Sequence, residues 1–297
     1  MSFKRILVPL DGSKLAERAL VPALALAGAM SAKLFFIRVV IPLSLNLDPK
    51  FYQHIIEVRQ DGAKRYLRSI QPRFSSTLVD IETQVVVGRA ARSIINFAQE
   101  KEIDLIVMSS HGRSGVNRWI YGGVADKVLH NAPCAKVIIH PQVIVENYSI
   151  KRIFVPLDGS SIAEQALEPA LALAEAVSAE LILHQVTTAP QIYVKTLPGW
   201  PGFDVVQDAA EQEASSYLQC VQSAMADSPV PSAFRVTTGP AAEGIIDIAD
   251  RQKVDLIVMC SLGCSGIERW VFGSVAEKVL RGANCVTLVI QSQEDSK

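Results

Sequence analysis

The chain has 297 residues, of which 49% are hydrophobic and 20% are charged, and its formal net charge is -1. This balance argues against a nucleic-acid partner, because proteins that bind polyanions carry clustered positive charge. Residues 1–13 lack the apolar stretch of a signal peptide, and the apolar segment 19–30 is too short to span a bilayer, so we expect a cytoplasmic protein without membrane contact.

The first half of the chain predicts alternating strands and helices. Short apolar runs indicate buried parallel strands, and longer segments with core residues at helical spacing indicate helices. The predicted strands are 4–10, 33–40, 78–87, 104–108 and 135–140, and the predicted helices are 13–30, 51–70, 90–101 and 124–130. Because strands separated by helices require right-handed crossovers, the pattern favours a doubly wound parallel sheet with helices on both faces.

The first predicted helix contains a proline. Ser13 is suited to cap its N-terminus, since a serine hydroxyl accepts a hydrogen bond from the first turn. Pro22 falls inside the segment, where it would either kink the helix or mark a later start.

The second half of the chain repeats the first. Residues 5–27 read RILVPLDGSKLAERALVPALALA, and residues 152–174 read RIFVPLDGSSIAEQALEPALALA. The offset between the copies grows from 147 residues at Asp11 and Asp158 to 151 at Gly88 and Gly239, and we place the four extra residues in the loop 189–202. A repeat of this length is a domain. We predict an α/β protein of two tandem flavodoxin-like or Rossmann-type domains, 1–145 and 146–297, each with a five-stranded parallel sheet.

Two loops in each copy lie where ligands of such sheets bind, at the carboxyl ends of the strands next to the reversal of strand order. They are 11–13 and 109–123 in copy one, and 158–160 and 260–274 in copy two. Glycines in the second loop let backbone N–H groups surround an anion, and the helix that follows adds partial positive charge. The same glycines also suit a tight turn without a ligand, and for this loop alone that simpler interpretation is favoured.

Taken together, these segments resemble the universal stress protein family in its tandem two-domain form. The resemblance rests on VPLDGS at 8–13 and 155–160, on DLIVM at 104–108 and 255–259, and on the SSHG turn at 109–112. The ATP-binding branch of that family carries the motif G-x-x-G, nine residues, then G-S or G-T. Copy two matches at Gly263 and Gly273-Ser274, and copy one matches at Gly112 and Gly122.

The resemblance implies an adenine nucleotide alpha hydrolase-like fold that binds ATP or a related adenine nucleotide, with Mg2+ or Mn2+ on the phosphates and no dedicated catalysis. The aspartate after strand one would lie near the ribose, a valine of strand two near the adenine, and the loop glycines with the next helix start near the phosphates. The implied binding residues are Pro9, Leu10, Asp11, Val39, Gly112, Arg113, Gly122 and Gly123 in copy one, and Pro156, Leu157, Asp158, Val186, Gly263, Gly273, Ser274 and Val275 in copy two.

Both copies depart from the motif. Ser109 and Cys260 stand at the first glycine, and Gly123 replaces the hydroxyl residue in copy one. The intact phosphate end favours copy two as the binding site. The alternative function is a structural or protein-interaction member of the family whose sites no longer bind nucleotide. An enzyme is a third hypothesis, without a P-loop or an obvious general base to support it.

The same resemblance implies how the copies assemble. Family dimers associate through their last strands, so we expect 136–140 and 286–291 to join the two domains into an intrachain pseudo-dimer. A homodimer of the whole chain is a further expectation. Asp11 and Asp158 also have a purely structural interpretation, as Asx turns that precede the first helix.

Two further groups of residues receive a simpler interpretation. Ser110 and His111 suggest a nucleophile and a base, but we expect adjacent side chains to point apart, and no G-x-S-x-G sequence is present. The five cysteines have no disulfide spacing, and Cys134 and Cys285, at matched positions before an apolar run, are predicted to be core residues.

Overall fold

The computed structural model describes residues 3–43, 48–74, 77–111, 122–188, 203–261 and 272–291. The chain forms two compact units, Ser2–Ser149, called domain 1, and Ile150–Lys297 with Met1, called domain 2. The boundary after residue 145 stays a prediction. Among the described residues, no helix combines the length and the hydropathy needed to cross a membrane.

Domain 1 is built on a parallel sheet with the strand order β3-β2-β1-β4-β5. The strands are β1 (Arg5–Pro9), β2 (Lys33–Val40), β3 (Ile81–Val87), β4 (Leu105–Ser109) and β5 (Ala135–Ile139). The order reverses at β1, as predicted, because Val8 pairs with Phe36 of β2 while Leu7 pairs with Ile106 of β4. The carboxyl ends of these three strands therefore meet at a topological switch point.

The helices of domain 1 connect these strands. They are α1 (Lys14–Glu17), α2 (Leu20–Met30), α3 (Pro49–Ile70), α4 (Ala90–Glu100) and α5 (Gly123–Asn131), and a 3-10 turn at Gln71–Phe74 follows α3. The first predicted helix is thus two helices. Ser13 caps α1 as expected, because its Oγ accepts a hydrogen bond of 3.1 Å from the N–H of Ala16. Pro22 lies in the first turn of α2, where its missing N–H leaves no helical bond unmade, so the later start is correct.

Domain 2 repeats the arrangement with the strand order β8-β7-β6-β9-β10. Its strands are β6 (Arg152–Leu157), β7 (Glu180–Thr187), β8 (Ser232–Thr238), β9 (Leu256–Cys260) and β10 (Val286–Ile290). Its helices are α6 (Ser161–Glu164), α7 (Leu167–Val177), α8 (Phe203–Ala224), α9 (Ala241–Arg251) and α10 (Ser274–Gly282). All these strand pairs are parallel, so each repeat is one complete domain of the predicted class.

The core of each domain lies on both faces of the central strands. Every residue of β4 and of β9 is buried, as expected for parallel strands covered by helices on both sides. The prediction that Cys134 and Cys285 are core residues is confirmed, since both are buried. One strand boundary differs, because β3 begins at Ile81 and Leu78 is fully exposed in the preceding turn.

Candidate functional site

A cavity of about 480 Å³ opens at the carboxyl ends of β1, β2 and β4 in domain 1. Its walls also include residues of α3, the start of α4 and the start of α5. The cavity brings together the predicted residues Pro9, Leu10, Asp11, Val39, Gly122 and Gly123. Gly112 and Arg113 lie outside the described residues.

The N-terminus of α5 forms one wall of this cavity. The N–H of Gly122 donates a hydrogen bond of 3.0 Å to the carbonyl of Ser110, which fixes the helix start to the end of β4. No side chain caps α5, and Val124 and Ala125 of its first turn line the cavity. A Cβ added at Gly123 would meet nothing within 4 Å. Because the first N–H groups of a helix have no acceptor inside the helix, this wall suits an anion.

The two aspartates after the first strands form Asx turns and also line cavities. Oδ1 of Asp11 accepts a hydrogen bond of 2.9 Å from the N–H of Ser13. Oδ1 of Asp158 accepts bonds of 3.0 Å and 2.6 Å from the N–H and the hydroxyl of Ser160. The structural interpretation is therefore confirmed for both residues. Both aspartates nonetheless line the cavities, so each turn also brings a charged residue to its site.

Two arginines in the wall of the domain 1 cavity were missed by the sequence analysis. The guanidinium of Arg38 lies over the ring of Tyr66, with Cζ 4.7 Å from the ring centroid. Arg59 of α3 donates a hydrogen bond of 2.9 Å from Nη1 to the carbonyl of Ile41. A comparison of the two copies could have found Arg38. This arginine directly precedes the predicted residue Val39, whereas Gln185 precedes the matching Val186.

The two residues at the first motif glycine point toward neighbouring carbonyl groups. The hydroxyl of Ser109 makes a long hydrogen bond of 3.4 Å to the carbonyl of Ile139. The thiol of Cys260 lies 3.9 Å from the carbonyl of Ala163. Burial raises the pKa of Cys260 to about 12, so the thiol stays protonated and uncharged at neutral pH. Both residues line their cavities, so each narrows its site by a small, neutral side chain.

The expectation that the side chains of Ser110 and His111 point apart is wrong. Their side chains do meet, because Oγ of Ser110 lies 2.9 Å from Nδ1 of His111 and both residues are buried. His111 lines the cavity, whereas Ser110 is fully buried. A hydroxyl enclosed in this way orients the imidazole and has no approach for a substrate. The assignment of His111 to a turn stays a prediction, because residues 112–121 lie outside the described part of the chain.

Domain 2 has a smaller cavity of about 220 Å³ at the matching place. It brings together the predicted residues Pro156, Leu157, Asp158, Val186, Gly273, Ser274 and Val275. Gly263 lies outside the described residues. Like α5, α10 has a glycine, Gly273, at its N-cap position, so no side chain caps this helix. Among the described residues, the lining of this cavity contains no Lys or Arg and no residue of α8.

His184 distinguishes the domain 2 cavity from its counterpart. It stands in the wall where domain 1 has Ile37, and its ring lies 5.2 Å from that of Phe154. Nε2 of His184 lies 2.9 Å from Oγ1 of Thr237. Burial lowers the pKa of His184 to about 4, so the imidazole is neutral at pH 7. At this position the second site therefore has a neutral polar ring where the first has an apolar side chain.

The described residues hold no group of three or more His, Cys, Asp or Glu side chains arranged to bind a metal ion. The features that domain 1 does assemble are a sheet with a switch point, a carboxylate, an uncapped helix start and a cavity between them. They define a Rossmann-type α/β domain with a cavity at its switch point.

The chain belongs to the Universal stress protein family, whose sequence profile matches residues 2–140 and again 149–291. Universal stress protein MJ0531 of Methanocaldococcus jannaschii is 30% identical over 142 residues, which cover 48% of this chain and 82% of that relative. Universal stress protein Rv2005c of Mycobacterium tuberculosis is 27% identical over 212 residues, which cover 71% and 69% of the two chains. The crystal structure of a universal stress protein from Archaeoglobus fulgidus covers 97% of this chain and 98% of its own with a TM-score of 0.75, and at 19% identity it supports the fold alone.

Proposed function

We propose that this universal stress protein binds ATP or a related adenine nucleotide in the domain 1 cavity and has no dedicated catalytic apparatus. The observation that carries the proposal is the meeting of Asp11, Val39 and Gly122–Gly123 in one cavity, although they come from three separate places, the loop after β1, the strand β2 and the start of α5. The volume of about 480 Å³ falls in the range of roughly 300–1,000 Å³ that is usual for small-molecule sites.

Each part of a nucleotide has a chemically suitable wall in this proposal. The uncapped start of α5 would hold the phosphates, since N–H groups and the helix dipole favour negative charge. The carboxylate of Asp11 would accept a hydrogen bond from the ribose. The adenine would lie at Val39, against apolar side chains that include Ile94 and Met108. Mg2+ or Mn2+ would accompany the nucleotide through its phosphates, which is the usual mode for magnesium.

The proposal favours domain 1, although the intact Gly273-Ser274 pair favoured domain 2 in the sequence. The domain 1 cavity has about twice the volume, and Arg38 and Arg59 add two positive charges to its wall. A polyanionic ligand gains more from these charges than from a single serine hydroxyl, because charge-assisted hydrogen bonds are roughly twice as strong as neutral ones.

The non-binding alternative has its best support in domain 2. The side chain of Cys260 occupies the motif glycine position there, and the cavity of about 220 Å³ is below the usual range of roughly 300–1,000 Å³. We therefore propose that domain 2 is a reduced site whose main role is structural, and that domain 1 carries the nucleotide function.

Two matched substitutions test the proposal. Gly123→Glu places a carboxylate in the proposed phosphate position of domain 1, and Ser274→Glu does the same in domain 2. A Cβ at Gly123 meets nothing within 4 Å, and a glutamate in the first turn suits the helix dipole, so the variants should remain folded. Binding is measured by calorimetric titration of the full chain with ATP and Mg2+. In parallel, mass spectrometry of the denatured, freshly purified protein identifies any retained nucleotide.

We expect Gly123→Glu to weaken ATP binding by at least about tenfold, the loss of roughly one charge-assisted hydrogen bond. Ser274→Glu should have little effect on the same titration. The assignment to domain 1 fails if the two variants behave in the opposite way. The function fails altogether if the wild-type chain neither retains an adenine nucleotide nor binds one at millimolar concentration.

A further inference from the structure

The guanidinium of Arg38 stands beside the proposed ribose position. A Cβ at Gly12 would collide with Nη1 of Arg38, so this glycine provides the space that the guanidinium occupies. Gly12 directly follows Asp11, and both Asp11 and Arg38 line the cavity. The side chains of Asp11 and Arg38 both lie near enough to the hydroxyl of Tyr66 to interact with it electrostatically.

The surrounding contacts hold Arg38 in this position. Its guanidinium packs on the ring of Tyr66, and the hydroxyl of Tyr66 donates a hydrogen bond of 3.1 Å to Glu17. Glu17 in turn accepts a bond of 2.8 Å from Arg73. Because the ring is fixed by this chain of contacts, the guanidinium loses little freedom when a ligand binds to it.

The matched residues of domain 2 lack this arrangement. The tyrosine and the glutamate are kept as Tyr217 and Glu164, joined by a hydrogen bond of 2.8 Å. Three arginines of this part of domain 1 have neutral counterparts in domain 2. They are Arg38, Arg59 and Arg73, which correspond to Gln185, Ala210 and Ala224. The cationic wall is therefore a property of the first copy and not a requirement of the fold.

We propose that the domain 1 cavity selects adenine nucleotides that carry an additional phosphate on the 2′ or 3′ position of the ribose. This rests on the proposed function, because it assumes that the ribose lies at Asp11 and the 5′ phosphates at α5. Dinucleotide-binding Rossmann domains divide the work in a similar way, with a carboxylate for a ribose hydroxyl and a nearby arginine for a ribose phosphate. Arg38 would bind that phosphate, and Arg59 would contribute from the rim.

A pair of isomers provides the sharpest test. Adenosine 3′,5′-bisphosphate and ADP contain the same atoms and two phosphates each, and differ in whether the second phosphate is on the ribose or on the 5′ chain. Calorimetric titration of the full chain with both isomers, with adenosine 2′,5′-bisphosphate and with ATP compares them at equal ionic strength. We expect one of the two bisphosphates to bind at least about tenfold tighter than ADP, the smallest gain expected from a charge-assisted hydrogen bond.

Three variants locate the effect. Arg38→Gln and Arg59→Ala each introduce the residue found at the matching position of domain 2. Arg235→Gln removes one exposed positive charge from domain 2 and is the control. The ratio of ADP to bisphosphate dissociation constants should fall to about one in Arg38→Gln, because the ribose phosphate loses its charged partner. The ratio should fall partly in Arg59→Ala and stay unchanged in Arg235→Gln.

The outcomes separate the two proposals. If ATP binds but the wild-type chain prefers ADP or shows no preference, selection for a ribose phosphate is wrong while the nucleotide function stands. If the preference exists but survives in Arg38→Gln and in Arg59→Ala, the assignment to the arginines is wrong. If no adenine nucleotide binds, the proposed function itself fails. The comparison of isomers in the wild-type chain decides the matter even if Arg38→Gln does not fold.

Discussion

The hydroxyl of Tyr66 donates a hydrogen bond of 3.1 Å to Oε1 of Glu17, and this bond joins α3 to α1 beside the domain 1 cavity. Tyr217 and Glu164 make the same contact in domain 2. The glutamates are 147 residues apart and the tyrosines 151, so the four extra residues of copy two lie between Glu164 and Tyr217. The predicted place, the loop 189–202, falls in this interval but lies outside the described residues.

Removing this hydrogen bond should weaken the attachment of α3. We expect Tyr66→Phe to lower the free energy of unfolding by about 1 kcal/mol, the typical net value of one intramolecular hydrogen bond. Tyr217→Phe should cost a similar amount in domain 2. Urea unfolding followed by circular dichroism measures both changes. Tyr52→Phe on α3 is the control, and an equal loss in that variant would contradict a specific role for the bond to Glu17.

The turn after the first strand separates two effects of glycine. Gly12 and Gly159 have φ angles of 80° and 83°, so alanine is strained at either position by about 1–2 kcal/mol. Only at Gly12 does a Cβ also collide with Arg38, whereas at Gly159 the nearest atom, Nε2 of Gln185, is 4.0 Å away.

Gly12→Ala should therefore destabilise the protein more than Gly159→Ala in thermal or urea unfolding. The double variant Gly12→Ala with Arg38→Gln should recover part of the difference, since the colliding group is then shorter and uncharged. Equal losses in the two single variants would show that the contact with Arg38 contributes nothing to the cost at Gly12.

The buried imidazole of His184 should make the protein sensitive to acid. Burial lowers its pKa from the ordinary value of 6.5 to about 4, so between these values the unfolded chain binds a proton that the folded chain does not. Stability is then complete above about pH 6.5 and falls as the pH drops toward 4. The loss from this group amounts to about 2–3 kcal/mol at the acid end.

His184→Ile tests this, because isoleucine occupies the matching position of domain 1. Urea unfolding at several values between pH 7 and pH 4 should show a smaller decline for this variant than for the wild type. The exposed His54 is the control, and His54→Gln should leave the slope unchanged. If His184→Ile declines as steeply as the wild type, the imidazole is not the group responsible.

Thiol labelling should distinguish the cysteines by burial. Cys220 is exposed on α8, whereas burial raises the pKa of Cys134 to about 11 and those of Cys260 and Cys285 to about 12. Because the thiolate is the reactive form, the three buried thiols should resist iodoacetamide at pH 8. Peptide mass spectrometry after brief labelling should find Cys220 modified and those three intact. Urea-unfolded protein is the control, and labelling of Cys260 in the native chain would contradict its enclosed position.

The same three thiols should lower the stability of the protein at alkaline pH. Their raised pKa values mean that the unfolded chain loses protons at a lower pH than the folded chain. Their contribution is therefore complete below about pH 9 and is lost as the pH rises toward 11–12. A smaller decline above pH 9 in the Cys285→Ala variant, followed by urea unfolding, would agree with this. An unchanged decline in that variant would assign the effect to other groups.

Much of the fold was predictable because it depends on local pattern. The apolar runs that became β1 and β4, the serine cap of α1 and the repeat itself are all visible in short stretches of sequence. The rule that ligands meet parallel sheets at the carboxyl ends of strands led to the loops with Asp11 and Gly122, the family resemblance added Val39, and the cavity contains all three. The contact between Ser110 and His111 was not predictable in this way, since it depends on the side-chain rotamers of neighbouring residues.

The sequence by itself determined that the chain contains two copies of one Rossmann-type domain, and at which ends of the strands the cavities lie. Only the tertiary structure decided how the two sites differ in volume and in the charged residues that line them. Arg38 reaches the first cavity because α3 places Tyr66 beneath its guanidinium and Gly12 leaves room for it, while His184 lines the second cavity at the position that Ile37 holds in the first. Contacts between residues so far apart in the chain depend on how helices pack against the sheet, and no local pattern encodes that packing.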